Sequence, residues 1–172
     1  MRSRSVFYFL LLIMVGCIKS PDAIKQLPPT TQEGKNTFGF KLNGAIWLPG
    51  GNNGTANLDA IYDPTYHGGS LGINAYLINN STHQLIAFGG NNISSTGNYI
   101  LAAGSDLPGA IFSDYKVGCS YNNDDDNVIG HFVLEKLDLV NGIVAGTFEF
   151  TFQKADCSMT SVTEGRFDVS LQ

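Results

Sequence analysis

From residue 36 onward the sequence predicts an all-β fold, an antiparallel meander forming a sandwich or barrel of about ten strands. Three observations carry that expectation. Apolar and polar residues alternate at period two in well-separated windows: Phe38, Phe40 and Leu42; Phe148, Phe150 and Phe152; Phe167, Val169 and Leu171. Turn-forming Asn and Gly clusters separate the apolar windows, among them Asn43-Gly44, 50–54, Asn79-Asn80, 89–92 and Asn141-Gly142. No window of eleven or more residues carries the i, i+3, i+4 stripe of an amphipathic helix.

The chain begins with Arg2 and Arg4, then an unbroken apolar run of ten residues over 6–15, then Gly16-Cys17. Charge, short apolar run and small residue make 1–16 a signal peptide. A spanning helix needs ~20 apolar residues, about twice this run. Met14-Val15-Gly16-Cys17 resembles a bacterial lipobox, which implies diacylation of the Cys17 thiol and Cys17 as the new N-terminus. Two or three acyl chains at ~0.8 kcal/mol per buried methylene hold a protein firmly to a membrane face. Residues 17–35 contain Pro21, Pro28 and Pro29 and no period, so a lipidated flexible tether is expected there. Lys19, Lys25 and Lys35 are nearly cancelled by Asp22 and Glu33, which favours a solvated spacer over a membrane-binding patch. Ile18, where enterobacterial retention signals place Asp, implies an outer-membrane lipoprotein by resemblance to those sorting rules.

Residues 36–172 form the single β domain. Beyond the three strongest windows, strands are expected at 45–48, 58–62, 70–78, 84–88, 98–102, 110–117 and 128–139. One apolar and one polar face per strand fits antiparallel sheets with one wet side. Asn141-Gly142 reads as a type I′ hairpin turn, with positive φ at both residues. Alternation is the same in a sandwich and a barrel, so closure stays open.

Composition narrows the function classes. The chain is 43% hydrophobic and 11% aromatic but only 15% charged, too apolar for a disordered chain. Its net charge is -5, and from Asn36 onward five cations face thirteen acids, so nucleic acid is not an expected partner. Of three cysteines, a lipidated Cys17 leaves Cys119 and Cys157 as an even pair. A bridge would close a loop of about 39 residues and contribute ~4 kcal/mol. Two separate buried thiols are the alternative. A metal site fits less well, because His131 is the one histidine between them and no C-x-x-C spacing occurs.

Candidate chemistry is sparse, and no cofactor is expected. Gly68-Gly69-Ser70-Leu71-Gly72 matches a nucleophile-elbow pattern, with His83, His131 and Asp106 available as partners. That elbow requires a strand before it and a helix after it, and here a strand follows, so it reads as a chance match. Asp124, Asp125 and Asp126, flanked by asparagines, form the densest oxygen cluster and the candidate metal site, for a hard cation such as calcium. The competing reading is a solvated hairpin tip. Carboxylates for glycoside hydrolysis would come from Asp59, Asp63, Asp114 and Glu149. Trp47, Tyr62, Tyr66, Tyr76, Tyr115 and Tyr121 lie near Asn-rich turns and are the candidate ligand-binding residues, since flat rings beside amides suit a sugar or peptide. Their bland alternative is strand packing.

Several motifs recur together: Asn36-Thr37-Phe38-Gly39-Phe40, Asn43-Gly44 followed by Trp47, Gly146-Thr147-Phe148-Glu149-Phe150, and the closing Thr163-Glu164-Gly165-Arg166-Phe167-Asp168-Val169. With the leader and tether, they make the chain resemble a family of small uncharacterised Bacteroidetes lipoproteins. Members often carry Cys where this chain has Phe40, and the resemblance implies no activity. Arg166, Asp168 and Ser170 share one strand face, where a cross-strand ion pair with Glu149 or Lys154 is the simplest expectation. The functional expectation is a membrane-anchored, extracytoplasmic, noncatalytic binding module with a glycan, a small molecule or an envelope protein as partner. Alternatives are an envelope glycan hydrolase and a structural accessory subunit of an envelope complex.

Overall fold

The computed structural model describes residues 25–52, 54–102, 107–123 and 127–172. Among the described residues there are eleven strands and no helix, so none is long and apolar enough to cross a membrane. The strands are β1 (Thr37–Leu42), β2 (Ala45–Trp47), β3 (Leu58–Asp63), β4 (Ser70–Ile78), β5 (His83–Gly90), β6 (Gly97–Ile100), β7 (Gly109–Asp114), β8 (Cys119–Asn122), β9 (Asn127–Asp138), β10 (Ile143–Gln153) and β11 (Thr160–Ser170). They form a six-stranded sheet, ordered β2-β1-β11-β10-β9-β6, and a five-stranded sheet, ordered β3-β4-β5-β7-β8. All strand pairs are antiparallel, and the two sheets pack as a sandwich rather than closing as a barrel.

The expected meander holds over β3-β4-β5 and β9-β10-β11, where neighbours in sequence pair. It breaks where the chain passes between the sheets, at β2–β3, β5–β6, β6–β7 and β8–β9. β1 pairs with β11, joining the two ends of the domain, and β6 leaves the five-stranded sheet to pair with β9. The excursion through β6 caps the interior with two buried aliphatics, Ile93 and Leu101, and stacks Tyr99 on Phe132 with ring centres 5.2 Å apart. The strand expected over 110–117 stops at Asp114, where the side chain accepts hydrogen bonds from the amides of Lys116 and Val117 and turns the chain into β8. Cys119 therefore opens a strand of its own.

Asn43-Gly44 and Asn141-Gly142 each make a hairpin, by different turns. Asn43 and Gly44 have φ of 49° and 86°, so the two-residue type I′ turn lies between β1 and β2, with Leu42 opposite Ala45. At Asn141-Gly142 only the glycine has positive φ. The loop there is longer because Asp138 accepts from the amides of Val140 and Asn141 and from the Asn141 carboxamide, making a side-chain-closed turn before Gly142.

The core is a phenylalanine stack. Phe38, Phe40, Phe148, Phe150 and Phe167 of the six-stranded sheet meet Phe88 of the five-stranded sheet, whose ring centre lies 4.8 Å from Phe148 and 5.3 Å from Phe150. Burying each such ring stabilises the fold by about 1.5–3 kcal/mol.

Residues 27–35, expected within a flexible tether, instead lie as a strap on the outer face of the six-stranded sheet. Alternation points Asp168 outward from β11, yet it is only 1% exposed. Its carboxylate accepts from the Thr31 hydroxyl at 2.5 Å and the amides of Gly34 at 2.6 Å, Glu33 at 3.1 Å and Lys35 at 3.4 Å. Burial pushes the Asp168 carboxyl up, but these four donors outweigh it and hold it below the usual carboxylate range. Arg166 donates to the Pro28 carbonyl, Ser170 to the Gly34 carbonyl, and Lys136 to the Gln32 carbonyl. The expected partners Glu149 and Lys154 are not those of Arg166, which pairs with Glu164 at 3.8 Å. Gly39 leaves the space the strap needs: a Cβ there would stand 2.9 Å from Pro28 and 3.2 Å from Leu27.

Candidate functional site

Gln84 is a polar residue in an apolar alternation, sharing its β5 face with Ile86 and Phe88. Pointing inward, it accepts a hydrogen bond from the Trp47 indole at 2.8 Å and donates to Asp114 at 2.6 Å. Thr160 holds the equivalent place on β11, inward with Val162 and only 6% exposed. Between the two sheets at this end lies a cavity of about 220 Å³. Leu42, Phe112 and Tyr121 supply its apolar surface, and Asn43, Gln84, Asp114, Ser158 and Thr160 its polar groups.

Cys119 and Cys157 are bonded to each other, with Cα atoms 6.0 Å apart, so the pairing expected from the even count is present. Cys119 also lines the cavity. The bridge ties β8 to the segment entering β11, and beside it the Tyr121 hydroxyl donates to the Ser158 carbonyl. The cavity wall is thus stapled covalently and by a hydrogen bond.

The six candidate aromatics do not form one surface. Trp47 and Tyr121 are core residues, each 2% exposed; Tyr121 lines the cavity and Trp47 reaches it through Gln84. Tyr115, 54% exposed, packs on His83 beside this end with ring centres 4.6 Å apart. Tyr62 and Tyr66 belong to the opposite end. There the Tyr62 hydroxyl donates to the Ile93 carbonyl, and burial, with Tyr99 and Asp63 nearby, raises its pKa. Tyr66 lies on the His67 ring, and Tyr76 points outward from β4. The aromatics therefore divide among two ends and an outer face, because strand alternation and not proximity to turns decides where each ring points.

Asp124, Asp125 and Asp126, together with Cys17 and Asp106, lie outside the described residues. Among the described residues no group of three or more His, Cys, Asp or Glu is placed to hold a metal ion. Ser70 opens β4 after a glycine turn, with no helix after it, so the elbow geometry is not formed. Asp59 and Asp63 sit on β3, Asp114 lines the end cavity, and Glu149 lies on the outer face of the other sheet, so these carboxylates do not converge. That outer face carries a groove lined by His131, Thr147, Glu149, Glu164 and Arg166. Glu164 is engaged there by Lys41 and Arg166.

Gln84, Ser158 and Thr160 were not among the residues singled out from sequence, and Asn43 was singled out for its turn and not for a site. For Gln84 and Thr160 the signal was present as a polar side chain at an inward position of an alternating strand. No family model, curated protein or solved structure matches the chain.

Proposed function

We propose that this protein is an extracytoplasmic lipoprotein, lipidated at Cys17, whose β domain is a noncatalytic binding module taking a small polar ligand at the disulfide-bonded end. The end cavity is the observation that carries this reading. It combines an apolar surface with five convergent polar residues, the make-up of small-molecule sites. At about 220 Å³ it is smaller than the ~300–1,000 Å³ of drug-sized pockets, which fits one sugar ring or the head of a larger molecule. The disulfide supports an oxidising location outside the cytoplasm, in keeping with the leader and lipobox. The resemblance to small Bacteroidetes lipoproteins supports the outer membrane as the place.

Thermal shift of the purified protein against glycans, lipids, haem and calcium tests the binding role. The expected result is a rise in Tm with one class, lost in Val117→Trp, which fills the cavity mouth from an exposed position. A flat response across the panel refutes small-ligand binding. Anchoring has its own test: Cys17→Ser is expected to abolish acyl labelling and membrane fractionation, and unchanged retention overturns it.

A further inference from the structure

We propose that the outer face of the five-stranded sheet is a homodimer interface on which a second copy of this chain packs face to face. The two outer faces of the sandwich differ sharply. Strands of the six-stranded sheet carry Lys41, Glu135, Lys136, Glu149, Glu164 and Arg166, and the strap covers part of that face. No Lys or Arg occurs in any strand of the five-stranded sheet. Alternation turns Ile61, Tyr76, Leu85, Ala87 and Ile111 outward there, with Ile61 56% and Ile111 41% exposed. Asp59 and Asp63 are the acids of this face, both on its edge strand β3, where Asp59 accepts from Asn74 at 3.1 Å and Asp63 from the Thr65 hydroxyl at 2.7 Å.

The relief of this face contains both halves of a self-complementary contact. Gly72 on β4 and Ala87 and Gly89 on β5 form the floor of a trough of about 230 Å³, with Ile111 on β7 as one wall. Ile61 stands on β3 at the other side. A two-fold contact presents the same patch twice, so the isoleucine ridges of one copy have the small-residue floor of the other to enter.

Charge selects a second copy over other occupants. From Asn36 onward the chain has five cations and thirteen acids, so two copies repel wherever charged surfaces meet. This face, whose outward acids Asp59 and Asp63 are confined to its edge strand, is where they approach closely at the least cost. An anionic membrane surface is disfavoured by the same acidity and by the lack of cations. Five strands at ~4.8 Å and a six-residue length at ~3.3 Å per residue give a face of roughly 24 by 20 Å. Two such faces bury roughly 1,000 Å², the lower bound for a specific contact, so the dimer is of modest affinity.

The test is crosslinking of the full exported chain in the membrane with Ala87→Cys, at the centre of the face, and a thiol-specific reagent spanning the ~10 Å between packed sheets. The expected product has twice the mass of the chain and is at least tenfold more abundant than with Thr147→Cys, on the outer face of the other sheet. Adding Ile111→Asp or, separately, Ile61→Lys is expected to remove it. Folding of both variants is checked by formation of the Cys119–Cys157 bond. Equal crosslinking at the two positions, no product, an adduct of another mass, or survival of the dimer in both folded charge variants overturns the proposal. The outcome is independent of ligand binding at the end cavity.

Discussion

Replacing Asp168 by Asn should release residues 31–35 from the sheet while leaving the sandwich folded. In the native protein the carboxylate accepts from Thr31 and from the amides of Glu33 and Gly34 at 2.5–3.1 Å, with Lys35 more distant. Asn keeps one acceptor oxygen and puts an NH2 donor where the other oxygen faced the donors of Thr31 and Glu33. Two hydrogen bonds to a charged group, worth about 1.5–3 kcal/mol each, are thereby lost or reversed. The freed strap regains water for its amides, which limits the net loss to about 2–4 kcal/mol. Amide hydrogen exchange reads this directly: protection at Glu33 and Gly34 should fall by roughly 30–1,000-fold, 1.4 kcal/mol being about a tenfold change. The pH dependence follows from the depressed carboxyl. Stabilisation is full above the unfolded carboxylate value of ~3.9 and is lost as pH falls through the lower folded value. Native protection of the strap should therefore decline below about pH 4, and Asp168→Asn should show no such titration. Unchanged protection in the variant at neutral pH would falsify this account.

Three further outcomes are expected. Breaking the Cys119–Cys157 bond, by reductant or by the double Cys→Ala variant, should cost about 4 kcal/mol in urea denaturation, since it opens a loop of sequence separation 38; a loss under 1 kcal/mol would mean the unbridged chain is already confined. Gly44→Ala should cost about 1–2 kcal/mol, because φ of 86° at this turn places a Cβ in the left-handed region, and an unchanged denaturation midpoint would show the turn free to change type. Gly39→Leu should displace the strap by driving a side chain into Pro28 and Leu27. In that variant protection at Gly34 should fall even at pH 7, and native-like exchange there counts against the packing described.

Much of the domain is legible from local pattern. The windows around Phe38, Phe148 and Phe167 became β1, β10 and β11, and 70–78 matched β4 to the residue. Period-two alternation is set within a few residues, so it reports which side chains face the core without reference to the rest of the chain. Asn43-Gly44 is legible for the same reason, as its backbone preference is intrinsic to the pair. Asn141-Gly142 shows the limit, because the Asp138 side chain selected a different turn.

The arrangements that bear on function come from residues far apart in the chain. Asp168 looked like a surface acid of an R-F-D motif, and became the anchor of a strap 133 to 137 residues earlier. The end cavity collects Asn43, Gln84, Tyr121 and Thr160 from β5, β8, β11 and the β1–β2 turn. Pairing of β1 with β11, of β5 with β7 and of β7 with β8 sets those neighbours. The sequence determined the strands, their two faces and most turns, because those follow from short-range stereochemistry and alternation. Sheet membership, the strap and the cavity were decided by the tertiary fold, because they depend on packing summed over distant segments, which no local window contains.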